Sequence, residues 1–327
     1  MEPTQSLKLI LLVPVYDDWQ CAQLLIKKLD AALRGSPITA EILLLDDGSP
    51  SAPLPTLVEG KLKNFRVVER LRLRRNLGHQ RAIAIGLCFV FQERPCDAVL
   101  VMDADGEDLP EDVPRLIQRY LELNGSRVVF AERTRRSESV AFRFSYQIYR
   151  FLHWSLTGIA VKVGNFSILS RDHLATLSVV SELWNHYAAS VYKARLPVAL
   201  LPSTRGTRFA GESKLNFVSL STHGLSAISV FAETVGVRLM FGIGIIMLLS
   251  LALVGVVVAV RLGTAMAIPG WATSAVGLLL IIVLQMLTLV VGLTFSVLFS
   301  RNNLTFLPSR DYRYFIGDIS IIYGDRE

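Results

Sequence analysis

Two stretches toward the end of this 327-residue chain limit its architecture more than anything before them. Residues 239–260 carry no charged side chain, and neither do residues 262–300, whose one interruption is the turn-like Ala267–Trp271. About 20 apolar residues in a helix cross a hydrocarbon core of roughly 30 Å. Two spans therefore fit, at about 237–260 and 272–299, joined by a short loop. The competing reading is a buried helical hairpin of a soluble protein. It fares worse, because soluble helices seldom stay uncharged for so long. Arg238 precedes the first span, Arg301, Arg310 and Arg313 follow the second, and Arg261 alone lies between them. The positive-inside bias then places both ends of the chain on the cytoplasmic side.

What precedes the hairpin alternates strands with helices. "LKLILLVPVY" is an apolar strand, Trp19–Leu33 a helix, "EILLLDDGS" a second strand running into a turn, and "FRVVERLRL" a third. His79–Phe91 has helical spacing, "DAVLVMD" is a fourth strand, Glu111–Leu123 another helix, and "SRVVFAER" a fifth strand. Strands apolar on both faces and separated by helices argue for an α/β fold, a mostly parallel, Rossmann-like sheet flanked by helices. A dinucleotide-dependent oxidoreductase is the weaker competitor, because "VPVYDDWQ" has no glycine-rich turn after the first strand. Phe217, Leu220, Leu225, Ile228 and Phe231 form a helical stripe directly before the first span. It reads as an amphipathic helix in the membrane interface, or as an ordinary surface helix packed on the domain. The expected order is a cytosolic catalytic domain (1–215), the interface helix (216–233), the two-helix transmembrane hairpin (234–300) and a cytosolic tail (301–327). Cys21, Cys88 and Cys96 lack metal-ligand spacing and suit a reducing compartment as small buried residues. The opening "MEPTQSLKLILLVPVYDDW" has too short an apolar run for a secretory signal.

The net charge of +6 favours anionic partners such as phosphates, nucleotides or a lipid surface; no motif asks for nucleic acid. Against it stands "VLVMDADGEDLPED", in which Asp103, Asp105, Glu107, Asp108, Glu111 and Asp112 crowd the exit of the fourth strand. Side chains two apart in extended backbone point the same way. Charges as close as those of Asp103 and Asp105 would raise a pKa unless a cation lay between them. Mg²⁺ or Mn²⁺, hard ions that take oxygen ligands, meet that need. A calcium loop is ruled out, since the twelfth position from Asp103 is Pro114 where a glutamate is required. Asp108, Glu111 and Asp112 read as residues that solvate the turn and cap the helix near Pro110. The strand ends "VPVYDD", "LDDGS" and "MDADGED" together describe one site, because ligands of such sheets bind beyond the carboxyl ends of the strands. "RLRLRR" (Arg70–Arg75) alternates like the solvated face of an edge strand, or leans toward anionic headgroups.

Seven segments occur in a telling order: "VPVYDD", "DDGS", "RNLGHQRAIAIGL", "MDADGEDLPE", "AERTRR", "GNFSILSR" and "RGTRFAGESKL". The series resembles the family-two glycosyltransferases of the GT-A fold. Within them it is most similar to the polyprenyl-phosphate glycosyltransferases, a group that includes dolichyl-phosphate mannose synthase and bacterial undecaprenyl-phosphate enzymes. The resemblance covers nearly the whole chain. It implies that Pro14, Tyr16, Asp18, Asp46 or Asp47, and the Asn76–Gly78 segment surround the nucleotide of a UDP- or GDP-sugar. It implies further that Asp103 faces the ribose and sugar, and that Asp105 binds the metal on the diphosphate. Arg133, Arg205 and Arg208, with Ser213 and Lys214, would neutralise donor and acceptor phosphates, a task suited to the guanidinium fork.

The resemblance thus implies inverting transfer of one sugar to a polyprenyl phosphate, undecaprenyl or dolichyl, by an integral protein of the bacterial inner membrane. Processive synthesis is not expected, because the Gln-x-x-Arg-Trp motif is absent. Two departures stand out. Gly106 and Glu107 replace the usual Leu-Gln, and Asn165 stands where many relatives have aspartate, so no general base is assigned there. Another glycolipid or lipid-linked glycan as acceptor, and a non-catalytic membrane scaffold of the same fold, are the alternatives. The oligomeric state is left open, a homo-oligomer included.

Overall fold

The structure, a computed structural model, describes residues 7–36, 38–133, 147, 153–159, 163–211, 224–264, 270–302 and 306–326. Its Cα framework divides into two compact units. The described residues up to 133, with 163–211, 224–230 and 306–326, form the first, and residues 147, 153–159, 231–264 and 270–302 form the second.

The first unit is built on one eight-stranded sheet. Its strands are β1 (Lys8–Val15), β2 (Thr39–Asp46), β3 (Phe65–Leu73), β4 (Ala98–Val101), β5 (Val128–Arg133), β6 (Ser167–Ser170), β7 (Val198–Ser203) and β8 (Ile316–Tyr323). They lie in the order β7-β5-β6-β4-β1-β2-β3-β8. The central β3-β2-β1-β4 set is parallel, whereas β6 runs antiparallel between β4 and β5, and β8 antiparallel along β3. The helices are α1 (Trp19–Ala32), α2 (His79–Glu93), α3 (Val113–Glu122), α4 (Arg171–Ser178) and α5 (Tyr187–Lys193). Strand alternation explains why β1 has no polar face. Leu9, Leu11, Val13 and Val15 feed one core layer, and Ile10 and Leu12 the other. Each such side chain removed from water contributes about 1.5–3 kcal/mol. All three cysteines are free and buried.

The five expected strands and three expected helices are present, and the sheet gains three more strands. Residues after 301, expected as a tail, instead supply β8. β3 is therefore not an edge strand, and Arg70 is not a solvated charge: its Nη2 lies 2.7 Å from Oδ2 of the fully buried Asp46. Of the expected interface helix, residues 216–223 lie outside the described residues. Residues 224–229 are helical, with Ala227 buried and Leu225 65% exposed.

The second unit holds two apolar helices, α6 (Ala232–Gly263) and α7 (Trp271–Asn302), which pack on each other as an antiparallel hairpin. Gly236 near the start of α6 meets Val297 near the end of α7, and Thr294 donates to the Met240 sulfur at 3.8 Å. Both are long and apolar enough to cross a membrane, and few of their residues are fully buried inside the protein. Such exposure does not match the buried hairpin of a soluble protein. The helices overrun the expected spans. Arg261 lies in the last turn of α6, where its charge complements the helix dipole, rather than in a loop. Arg238 also lies within α6, where its Nη1 donates to the Ser155 carbonyl at 2.8 Å.

Candidate active site

Parallel pairing brings the carboxyl ends of β2, β1 and β4 side by side, with Val15 opposite Asp46 and Leu12 opposite Val101. Three acidic loops leave this edge. The β1 loop begins with Tyr16, 42% exposed, while Pro14 is buried inside the strand. Asp17 takes a left-handed φ of 52° and donates its N–H to Ser49 Oγ at 2.8 Å. Asp18 follows as the N-terminal flank of α1.

At the end of β2 the two aspartates are braces. Asp46 Oδ1 accepts the Ser49 N–H at 2.8 Å, and its Oδ2 accepts Arg70 Nε at 2.9 Å. Asp47 accepts the N–H groups of Leu77 at 2.7 Å and Gly78 at 2.9 Å. Burial pushes the Asp47 carboxyl up to about 6, although both N–H bonds and His79 pull it down. The Asn-x-Gly segment is thus clamped to the β2 loop. Gly48 fits there with φ +71° because a Cβ would lie 2.6 Å from the Arg75 carbonyl carbon. Asn76 is exposed at the surface of this segment.

The strand of the third loop ends at Val101, so the same-face rule for extended backbone no longer governs Asp103 and Asp105. They meet different partners. Asp103 Oδ1 is 3.1 Å from His79 Nε2, and its N–H donates to Asp108 at 3.0 Å. Asp105 Oδ1 accepts the Glu107 N–H at 2.9 Å, while its Oδ2 faces Arg208 Nη1 at 3.3 Å. Burial, together with the charges of Asp103 and Glu107, raises the Asp105 pKa against the pull of the Glu107 N–H and Arg208. Asp108 and Asp112 are structural, though not as helix caps: Asp108 holds Asp103, and Asp112 accepts from Ser203 Oγ at 2.6 Å.

A strap of residues 205–210 lies over this loop. Gly206 donates to the Glu107 carbonyl at 2.9 Å and Phe209 to the Asp105 carbonyl at 2.8 Å. Arg205 pairs with Glu107 at 2.5 Å, and Arg208 joins Asp105 to Asp18. The Phe209 ring occupies the space that a Cβ on Gly106 would need, 2.5 Å away, and Gly106 has φ +90°. The departure from Leu at this position therefore has a cause: only glycine satisfies both the turn and the ring.

Arg205 and Arg208, expected on phosphates, here stand against carboxylates. Arg133 ends β5 opposite Ser203, with its side chain outside the described residues, as are Ser213 and Lys214 entirely. The sequence reading missed His79 and its neighbours. Tyr187 donates its N–H to Gln80 Oε1 at 2.7 Å, Gln80 donates to Asn165 Oδ1 at 3.0 Å, and the Asn165 amide lies 2.8 Å from His79 Nε2. Burial disfavours a charged His79, but Asp103, Asp108 and Asp47 outweigh it and raise its pKa. The adjacency of "GHQ" to the Asn-x-Gly segment was the available signal. Among the described residues no three His, Cys, Asp or Glu side chains enclose a metal by themselves. A cation is still compatible with Asp105, a hard oxygen donor crowded by like charge.

Sheet order, acidic strand ends and flanking helices define a glycosyltransferase of the GT-A fold. Residues 10–177 match the model of glycosyl transferase family 2, and the chain belongs to that family. An uncharacterized glycosyltransferase of Synechocystis is 25% identical over 87% of this chain and 88% of its own. An undecaprenyl-phosphate 4-deoxy-4-formamido-L-arabinose transferase of Erwinia tasmaniensis is 28% identical over 79% of this chain and 78% of its own. The fold is also that of glucosyl-3-phosphoglycerate synthase from Mycobacterium tuberculosis, solved with Mn²⁺, UDP-glucose and phosphoglyceric acid. That likeness has a TM-score of 0.51 at 16% identity, over 70% of this chain and 80% of that one.

Proposed function

We propose that this protein moves one sugar from a UDP- or GDP-sugar to the phosphate of a polyprenyl lipid, undecaprenyl or dolichyl, with inversion at the anomeric carbon. One observation carries the reading: the strapped acidic loop Asp103–Glu107 sits at the carboxyl edge of the sheet in a chain that also bears two unburied apolar helices. The Erwinia relative, named for transfer to undecaprenyl phosphate, supports the acceptor class.

The charges explain how such a site would work. Asp18, Asp105 and Glu107 face Arg205 and Arg208, so one negative charge is left over. A cluster of that sign repels a diphosphate. Mg²⁺ or Mn²⁺ held by Asp105 would reverse the sign and neutralise the departing nucleoside diphosphate. Arg205 and Arg208 then exchange carboxylate partners for phosphate oxygens, joined by Arg133, Ser213 and Lys214. Tyr16, Asp18 and the Asn76–Gly78 segment border the nucleotide, with Asp46 and Asp47 holding those loops in place. Asp103, set by His79, faces the ribose and sugar. The acceptor needs no strong general base, because a phosphate monoester with a second pKa near 6 is mostly dianionic at neutral pH. Positioning supplies the remainder. The chain is a membrane protein in this reading. Its sheet unit and both ends are cytoplasmic at a bacterial inner membrane, and α6 and α7 hold the site near a lipid that cannot leave the bilayer.

The test is product chemistry. Extracted membrane lipids incubated with the protein and labelled nucleotide sugars should yield a lipid whose sugar is released by mild acid, as a glycosyl phosphate is. An acid-stable glycolipid would move the acceptor to another lipid class, and no lipid product with any donor would end the proposal.

A further inference from the structure

The outer face of α7 carries a group that the hairpin does not use. α6 packs against the side of α7 that bears Val283, Met286, Val290, Leu293 and Val297, all of them half-buried. On the opposite side Leu278, Ile281, Gln285, Thr288, Gly292 and Phe295 are all exposed. Their spacings alternate between three and four, the repeat of a helix seam that meets another helix. Gln285 stands in the middle of the seam. In a helix of 32 residues it is the fifteenth, so it falls within a few ångströms of the bilayer midplane at about 1.5 Å per residue. Among the described residues its side-chain amide has no hydrogen-bonding partner.

A primary amide in hydrocarbon loses its bonds to water and gains nothing from lipid tails. Something polar must meet it at that depth. A polyprenyl chain offers no donor or acceptor, and its phosphate belongs to the membrane surface. Another copy of α7 offers both. A primary amide is self-complementary, with N–H donors and a carbonyl acceptor on one group, and a two-fold axis through the seam places like residues opposite each other. A single polar residue at one seam position is also what fixes register between helices otherwise held by shape alone. We propose that two copies of this protein associate through the α7 seam, with the Gln285 amides hydrogen-bonded to one another across the two-fold axis.

The inference needs α7 to span the bilayer, but not any particular donor or acceptor. Its test is therefore separate from the transferase assay. Single cysteines placed at 281, 285, 288 and 292 of the full-length protein in native membranes should cross-link into a dimer under mild oxidation. Cysteines at 283 and 290, on the α6 side, should not. In lipid vesicles of defined composition, single-molecule photobleaching should show Gln285→Leu shifting the monomer–dimer equilibrium toward monomer by about three- to tenfold. Gln285→Asn should restore most of it. Leucine is well accepted in a span, so loss of folding does not confound this variant. Cross-links that ignore the seam, a dimer indifferent to Gln285→Leu, or seam cysteines captured only by a different membrane protein would each overturn the proposal.

Discussion

Leu12 in β1 is fully buried, and Leu284 in α7 is 65% exposed, yet both sit in uninterrupted apolar runs. The sheet unit satisfies its apolar side chains from within, with helices laid on both faces. The hairpin leaves most of its own outward, unburied within the protein. The difference reverses the meaning of a polar residue. In the sheet unit, polar side chains gather at one edge and form a site. In the hairpin, a polar side chain facing outward at mid-depth is an exception that needs a partner.

The largest effect tests this contrast directly. Leu12→Ala should destabilise the sheet unit by about 2–5 kcal/mol, the usual result of leaving a cavity in a close-packed core. Leu284→Ala leaves lipid to fill the space and should cost well under about 1 kcal/mol. Thermal unfolding of both variants in the same lipid decides it, and equal losses would mean that α7 is packed against protein rather than lipid. Gly106→Leu should follow, at about 2–4 kcal/mol, because it strains a left-handed turn and collides with the Phe209 ring. Adding Phe209→Ala should recover part of the loss. A Gly106→Leu variant that melts like the parent would show that the strap does not sit on this loop.

A further stability effect depends on pH. Burial raises the Asp47 carboxyl from 3.8 to about 6, so the native state binds its proton more tightly than the unfolded chain does. Ionisation of Asp47 therefore costs stability in full above about pH 6. The cost is relieved as pH falls from there toward 4, on the order of 2–3 kcal/mol in all. Melting temperature against pH for the parent and Asp47→Asn should diverge across that window. Parallel curves would remove the shift.

Much of the sheet unit was legible in the sequence, for a physical reason. β1, β2 and β4 are apolar on both faces, and that pattern needs no knowledge of partners. β6 escaped notice because four residues, Ser167–Ser170, are too few to show a period. β8 escaped because its evidence is pairing with β3, some 250 residues earlier in the chain. The acidic strand ends pointed to the site, but not to the internal neutralisation of its charges. Arg70 looked solvated by alternation, and only the register, with Leu44 opposite Arg70 and Asp46 opposite Arg72, brings it within reach of Asp46. His79 and Asn165 are 86 positions apart, so no local pattern could join them.

The central claim is that Asp105 at the sheet's edge works through a divalent cation on a nucleotide sugar. Transfer of labelled sugar to purified polyprenyl phosphate, titrated with Mn²⁺, should fall by about 10²–10³-fold in Asp105→Ala while the fold and the Mn²⁺-free melting temperature are kept. Undiminished transfer by Asp105→Ala at every Mn²⁺ concentration would contradict it.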